Sequence, residues 1–114
     1  MTVILIYFLR KTGKYEEQLG TATPVDLANP SKLILTYQFG PIIVSYDYWI
    51  IDTDYSLYSL VYSCRVTLGR KNEFAWILSR QRNLDPARVN ALKNKLQSYG
   101  VNANLFIVSD QSGC

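Results

Sequence analysis

The sequence predicts a mainly β protein: an antiparallel up-and-down meander of about six strands, followed by one C-terminal α-helix packed outside the sheet. Three observations carry this prediction. Strand-like segments follow one another with only short turns between them, which suits hairpins and leaves no room for βαβ crossovers. Apolar residues recur with period two, most cleanly over Leu33–Phe39, where Leu33, Leu35, Tyr37 and Phe39 share one face and Ile34, Thr36 and Gln38 the other. After Asp85 the period becomes helical, with Val89, Leu92, Leu96 and Tyr99 on one stripe.

The elements follow in order. The apolar run Val3–Leu9 reads as a buried strand. It is too short to span a bilayer, no basic residue precedes it and no small-residue cleavage site follows, so it does not read as a signal peptide. Gly13, in Lys11-Thr12-Gly13-Lys14, marks a turn into the weakly alternating Tyr15–Ala22, which Thr23-Pro24 is expected to break. Asn29-Pro30-Ser31 is the next turn, and Gly40-Pro41 ends Leu33–Phe39. Gly40–Ser45 reads as a loop carrying the unusually apolar Ile42, Ile43 and Val44. Strands are then expected at Tyr46–Asp52 (Tyr48 and Ile50 on one face), Tyr58–Val66 (Tyr58, Leu60, Tyr62 and Cys64) and Phe74–Arg80 (Phe74, Trp76, Leu78 and Arg80). Asp85 suits a helix N-cap, Pro86 the first helical position and Gly100 a left-handed C-terminal cap. Leu105–Val108 is expected to add a last short strand.

Composition sets the limits on function. At 114 residues one domain over residues 1–114 is expected, large enough for a real core. The chain has no His, so no Ser-His-Asp or Cys-His nucleophile pair, no His-ligated metal site and no imidazole switch can be built. Between Arg65 and Lys95 eight basic residues face two acids, but strand and helix alternation scatters them, so they read as a solvated surface and not as a nucleic-acid footprint. Cys64 and Cys114 form no C-x-x-C and suit either a disulfide or two separate thiols.

Several strings carry a family resemblance. Thr53-Asp54-Tyr55-x-x-Tyr58, between two strands, and Trp76-Ile77-Leu78-Ser79-Arg80, closing the last strand before the helix, resemble the second and third signature regions of the lipocalins. Gly20–Val25, Tyr48-Trp49-Ile50, Thr53–Cys64, Phe74–Leu78, the helix Leu84–Tyr99 and the ending Ser109–Cys114 are similar to lipocalin sequence in the same order, so the likeness extends from about Gly13 to Cys114. The first signature, a Gly-x-Trp, has no counterpart. The resemblance therefore implies an incomplete lipocalin-type β-barrel that lacks its first two strands, with Met1–Arg10 in the place of the third.

What the resemblance implies is specific. Trp76, Leu78, Tyr48, Ile50, Leu33, Leu35 and Tyr37 fall on faces that the family turns toward a ligand, and Ile6 stands where a family member has an inward polar anchor. The same side chains read as a ligand wall in a closed barrel and as the packed core of a collapsed sheet in an open fragment. Thr53, Asp54 and Tyr55 suit a tight, side-chain-braced turn. The Arg80 guanidinium, which in the family packs over the missing indole, is left to another aromatic or to solvent. Cys64 and Cys114 match disulfide positions whose partners are missing. The expected function is binding and transport of a small hydrophobic ligand such as a fatty acid, sterol, retinoid, carotenoid or bilin, in an extracellular setting. Ile42, Ile43 and Val44 are offered to a lipoprotein or membrane surface. No cofactor, metal or nucleic acid is expected. Catalysis is not expected either, since the family's enzymatic variant uses a barrel thiolate and no Cys occurs on the early strands. The alternative is a fragment without carrier activity of its own, or one active only after dimerisation of the open barrel.

Overall fold

A computed structural model of the chain describes residues 2–9, 11–109 and 112, the first stretch by its backbone alone. Six strands, β1 (Thr2–Leu9), β2 (Lys14–Pro24), β3 (Lys32–Phe39), β4 (Ile42–Thr53), β5 (Tyr58–Thr67) and β6 (Arg70–Ser79), lie in one sheet in chain order, followed by α1 (Pro86–Ser98) and a single 3₁₀ turn at Ala103–Leu105. β1 to β4 pair antiparallel, as a meander requires. β1 and β6 are the ends of the strand order. The chain forms two compact units, Met1–Ile50 with Tyr62–Phe74, and Ile51–Val61 with Ala75–Cys114.

In the first unit the registers of three strands align into rows: Gly20, Tyr37 and Val44; Ala22, Leu35 and Tyr46; Pro24, Leu33 and Tyr48. One face of these rows holds the core, with Ala22, Leu33, Leu35 and Tyr37 buried and Tyr46, Tyr48 and Ile50 half-buried against them. The other face is polar where it can be, as in the Thr36 Oγ1–Ser45 Oγ hydrogen bond at 3.0 Å. Gly20 is required by a close approach. A Cβ there would lie 2.5 Å from the Tyr37 ring and 2.9 Å from the Thr36 carbonyl oxygen.

Two boundaries differ from expectation. Pro24 does not break β2 but closes it, opposite Leu33, where its missing N–H costs no ladder bond. Ile42, Ile43 and Val44 are not in a loop. Gly40-Pro41 is a two-residue turn, and the β-branched run opens β4 opposite Phe39, Gln38 and Tyr37. The next hairpin is equally tight. Leu68 and Gly69 both have positive φ (52° and 73°), the pattern of a primed turn, so β6 begins at Arg70.

The second unit is built around α1. Leu92 and Leu96 are buried with Leu60 and Ala103, and Ile51, Tyr58, Ala75 and Ile77 pack against them. The Asp85 carboxylate accepts from the Ala87 N–H at 3.0 Å, Pro86 opens the helix, and Gly100 (φ 85°) ends it while Val101 N–H donates back to the Leu96 carbonyl. Tyr99, expected on the apolar stripe, is the C-cap and is exposed. The expected strand at Leu105–Val108 is also absent: Leu105 ends the 3₁₀ turn, and Ile107 and Val108 are about nine-tenths exposed with no ladder assigned.

The β4–β5 turn is braced from within. Asp54 Oδ1 accepts from the N–H groups of Ser56 (3.0 Å), Leu57 (2.7 Å) and Tyr58 (3.1 Å). Thr53 Oγ1 accepts from the Tyr55 N–H and donates to the Tyr58 carbonyl. These bonds hold Tyr55 at φ 63°, an unfavourable setting for an aromatic residue. They also hold the Asp54 carboxyl below its ordinary range, through the Leu57 N–H first, with help from the Tyr58 and Ser56 N–H groups and nearby Arg88.

Three outcomes are expected. Gly20→Ala forces Tyr37 and the β2–β3 pairing apart and costs about 1–3 kcal/mol in denaturant unfolding; a loss below experimental error would mean that the ring has free space. Leu68→Asn relieves a left-handed leucine that is 97% exposed, and raises stability by about 0.5–1 kcal/mol in thermal melts. Asp54→Ala lowers the melting temperature at neutral pH. Because the folded carboxyl is depressed, its contribution is complete above the unfolded value of about 3.9 and is lost as pH falls through the folded value. The gap between wild type and Asp54→Ala therefore closes in acid, and a gap constant from pH 7 to pH 2 would contradict the brace.

Candidate ligand-binding site

Strand alternation puts five of the expected contact residues on one face of the first unit: Leu33, Leu35 and Tyr37 from β3, and Tyr48 and Ile50 from β4. Tyr46 joins them. The sequence analysis does not single it out, although its parity with Tyr48 is the available signal. Burial pushes the Tyr48 and Tyr37 phenols above their ordinary range; the Tyr37 phenol adds to the first shift and the Tyr46 phenol to the second. The three rings bring phenol hydroxyls, able to donate and accept, to a surface that is otherwise hydrocarbon. The described side chains of the three rows include no charged group. β1 continues the first row with Val3 opposite Gly20. The same register sets Ile6 opposite Glu17; its side chain, expected at the ligand, lies outside the described residues.

In the second unit, Ala75 and Ile77 of β6 pack into the helix cluster, and Trp76 and Leu78 alternate away from it. Both are large and apolar, yet they are 42% and 44% exposed. Trp76 and Leu78 are therefore not core residues of the unit that contains them, which sets them apart from the buried Leu33, Leu35 and Tyr37.

The signature residues have mainly structural roles. Thr53, Asp54 and Tyr55 form the braced turn, and Arg80 has an exposed side chain while its backbone N–H donates to the Leu57 carbonyl at 2.9 Å. In the same unit Arg88 lies 4.9 Å from the Tyr58 ring centroid, and Lys95 pairs with Asp52 at 3.2 Å. Ile42 and Ile43 are 61% and 66% exposed, and Ile43 borders a shallow recess of about 280 Å³ lined also by Leu19, Thr21, Thr36 and Gln38.

Cys64 is a half-buried free thiol, and Cys114 lies outside the described residues. Around Cys64 is a polar network that the sequence reading missed. Burial raises the Tyr62 phenol strongly, and its hydrogen bonds with Cys64 and Glu73 raise it further. Glu73 pairs with Lys71 at 2.6 Å, which holds the Glu73 carboxyl below its usual range. Trp49 is 6.4 Å from the Tyr62 ring and 4.8 Å from the Lys32 ammonium. Parity between Tyr62 and Cys64 was visible in the sequence, but the arrival of Glu73 depends on the position of the Leu68-Gly69 turn. Among the described residues no group of His, Cys, Asp or Glu could hold a metal ion, and no helix is long and apolar enough to cross a membrane.

Comparison with known proteins gives this arrangement a context. The family model described as the lipocalin / cytosolic fatty-acid binding protein family matches residues 3–113. Apolipoprotein D of Macaca fascicularis is 38% identical over 108 residues, which are 93% of this chain and 56% of that protein. Insecticyanin-B of Manduca sexta is 29% identical over 101 residues, 85% of this chain and 49% of that protein. Among solved structures, lobster apocrustacyanin A1 superposes with a TM-score of 0.83 at 23% identity, covering 98% of this chain and 60% of that one, a likeness of fold. The chain thus spans about half to three-fifths of the length of these relatives. With the meander, the external helix and the braced Thr53-Asp54-Tyr55 turn in place, the match over residues 3–113 means that the chain belongs to the lipocalin family.

Proposed function

We propose that this chain takes part in binding and carrying a small hydrophobic ligand, of the size of a fatty acid, sterol, retinoid, carotenoid or bilin, and that it performs no catalysis. The observation that carries the reading is the uncharged face of Leu33, Leu35, Tyr37, Tyr46, Tyr48 and Ile50, three of whose side chains remain half-buried and so retain area to cover. Burial of such area at about 25 cal/mol per Å² supplies the driving force, less the cost of immobilising the ligand. Trp76 and Leu78 are proposed as further contacts on the family pattern, supported by their exposure. Ile42 and Ile43, at the tip of the β3–β4 hairpin, are proposed to touch a lipoprotein or membrane surface. An extracellular location is proposed from the kinship with apolipoprotein D.

A second reading is favoured by the strand order. β1 and β6 are both edges, and β1 has eight residues without a charge, Pro or Gly to discourage pairing. Here the chain alone has no carrier activity and carries ligand only after a further copy covers those edges.

Titration of the 114-residue chain with retinol, arachidonate and biliverdin, followed by quenching of Trp49 and Trp76, tests both. Saturable quenching by at least one ligand, from a species that elutes as a monomer in size-exclusion chromatography, is the expected result. Saturation confined to a dimer fraction favours the second reading, and no saturation with any of the three overturns the carrier function.

A further inference from the structure

The binding face has a feature that bears on which ligand it takes. Its polar atoms are phenol hydroxyls alone. Tyr46 and Tyr48 lie on the same face of β4, two residues apart, and Tyr37 stands diagonal to Tyr46 on the neighbouring strand. Row by row, their partners are Leu, Ala, Pro, Gly and Val, with no Lys or Arg among them. Of the basic residues of these strands, Lys32 is on the opposite alternation, beside Trp49, and Lys14 shares the alternation of Gly20 but stands at the far end of β2, paired with Leu9.

We infer that Tyr46 and Tyr48, backed by Tyr37, make this face selective for a neutral ligand with a hydrogen-bond acceptor, such as a ketone, ester or hydroxyl oxygen, over an ionised carboxylate. The inference rests on the carrier reading and adds the ligand class to it. The physical reason is an asymmetry. A carbonyl oxygen sheds its water cheaply and regains a phenol O–H bond. A carboxylate sheds far more hydration, and neutral phenols without a cation do not restore it. Burial holds Tyr37 and Tyr48 above their ordinary titration range, so they remain O–H donors throughout physiological pH. Tyr37 is buried over Gly20 and acts as a positioning residue for the two half-buried hydroxyls.

The test uses the whole chain and two probes of one skeleton, methyl retinoate and retinoate, titrated by tryptophan quenching at pH 7.4. Methyl retinoate is expected to bind at least tenfold more tightly. Retinoate affinity is expected to rise as pH falls toward 5 and the acid becomes neutral, with methyl retinoate unchanged over the same range. Tyr46→Phe and Tyr48→Phe are each expected to weaken methyl retinoate about three- to tenfold, the worth of one neutral hydrogen bond. Tyr99→Phe, at the exposed helix end, should leave it unaltered. Thermal melts establish that each variant is folded, and a double Tyr46→Phe/Tyr48→Phe chain that melts with wild type but binds the ester as well as wild type overturns the inference. So does retinoate binding as tightly as its ester at pH 7.4, while leaving the carrier function intact. Absence of saturation by either probe overturns the inference alone if arachidonate or biliverdin still saturates, and overturns both if none does.

Discussion

The contact on which the first unit depends is the Tyr37 ring lying across Gly20. It requires a residue without a Cβ at one position of β2 and a large flat side chain at its partner in β3, and it tolerates no exchange of the two. A slip of one residue would place Tyr37 against Leu19 or Thr21 and turn Leu33, Leu35 and Tyr37 to the polar side. Register, burial and the placement of Tyr46 and Tyr48 therefore follow from one close approach. The alternation of Leu33, Leu35 and Tyr37 selects the face, and the glycine selects the register.

A second constraint governs the other unit, where a strand has to serve two surfaces. β6 gives Ala75 and Ile77 to the helix cluster and keeps Trp76 and Leu78 apart from it. Small and medium side chains fit beneath Leu92 and Leu96, and the larger Trp76 falls on the opposite alternation. The helix is stabilised at both ends, by Asp85 and by Gly100, and its position does not rest on amphipathicity alone, as its exposed Tyr99 indicates.

The elements were legible where a local rule and the long-range pairing agree. The Leu33–Phe39 alternation, the Asp85-Pro86 start and the Gly100 stop all read correctly, because each is decided within a few residues. Ile42–Val44 reads as loop in the sequence because Gly40-Pro41 looks like the beginning of a longer irregular stretch; its compactness as a two-residue turn shows only once Phe39 and Ile42 are paired. The Leu105–Val108 strand failed for the converse reason, since β-forming side chains need an available edge and local propensity does not supply one. On the apolar face of the first unit, parity brought out Leu33, Leu35, Tyr37, Tyr48 and Ile50. Tyr46 and the Tyr62–Cys64–Glu73 network were not singled out, because hydroxyl proximity depends on neighbouring strands.

The strand order has a kinetic meaning. In β1 through β6 each strand sits beside the one made just before it. Loop closures are therefore short, sequence separation between partners is small, and the entropic barrier to pairing is that of successive hairpins. Such a chain can acquire its sheet in step with its synthesis, strand upon strand from the amino terminus, and the helix that covers Leu60, Ala75 and Ile77 arrives only after the surface it needs has been laid down.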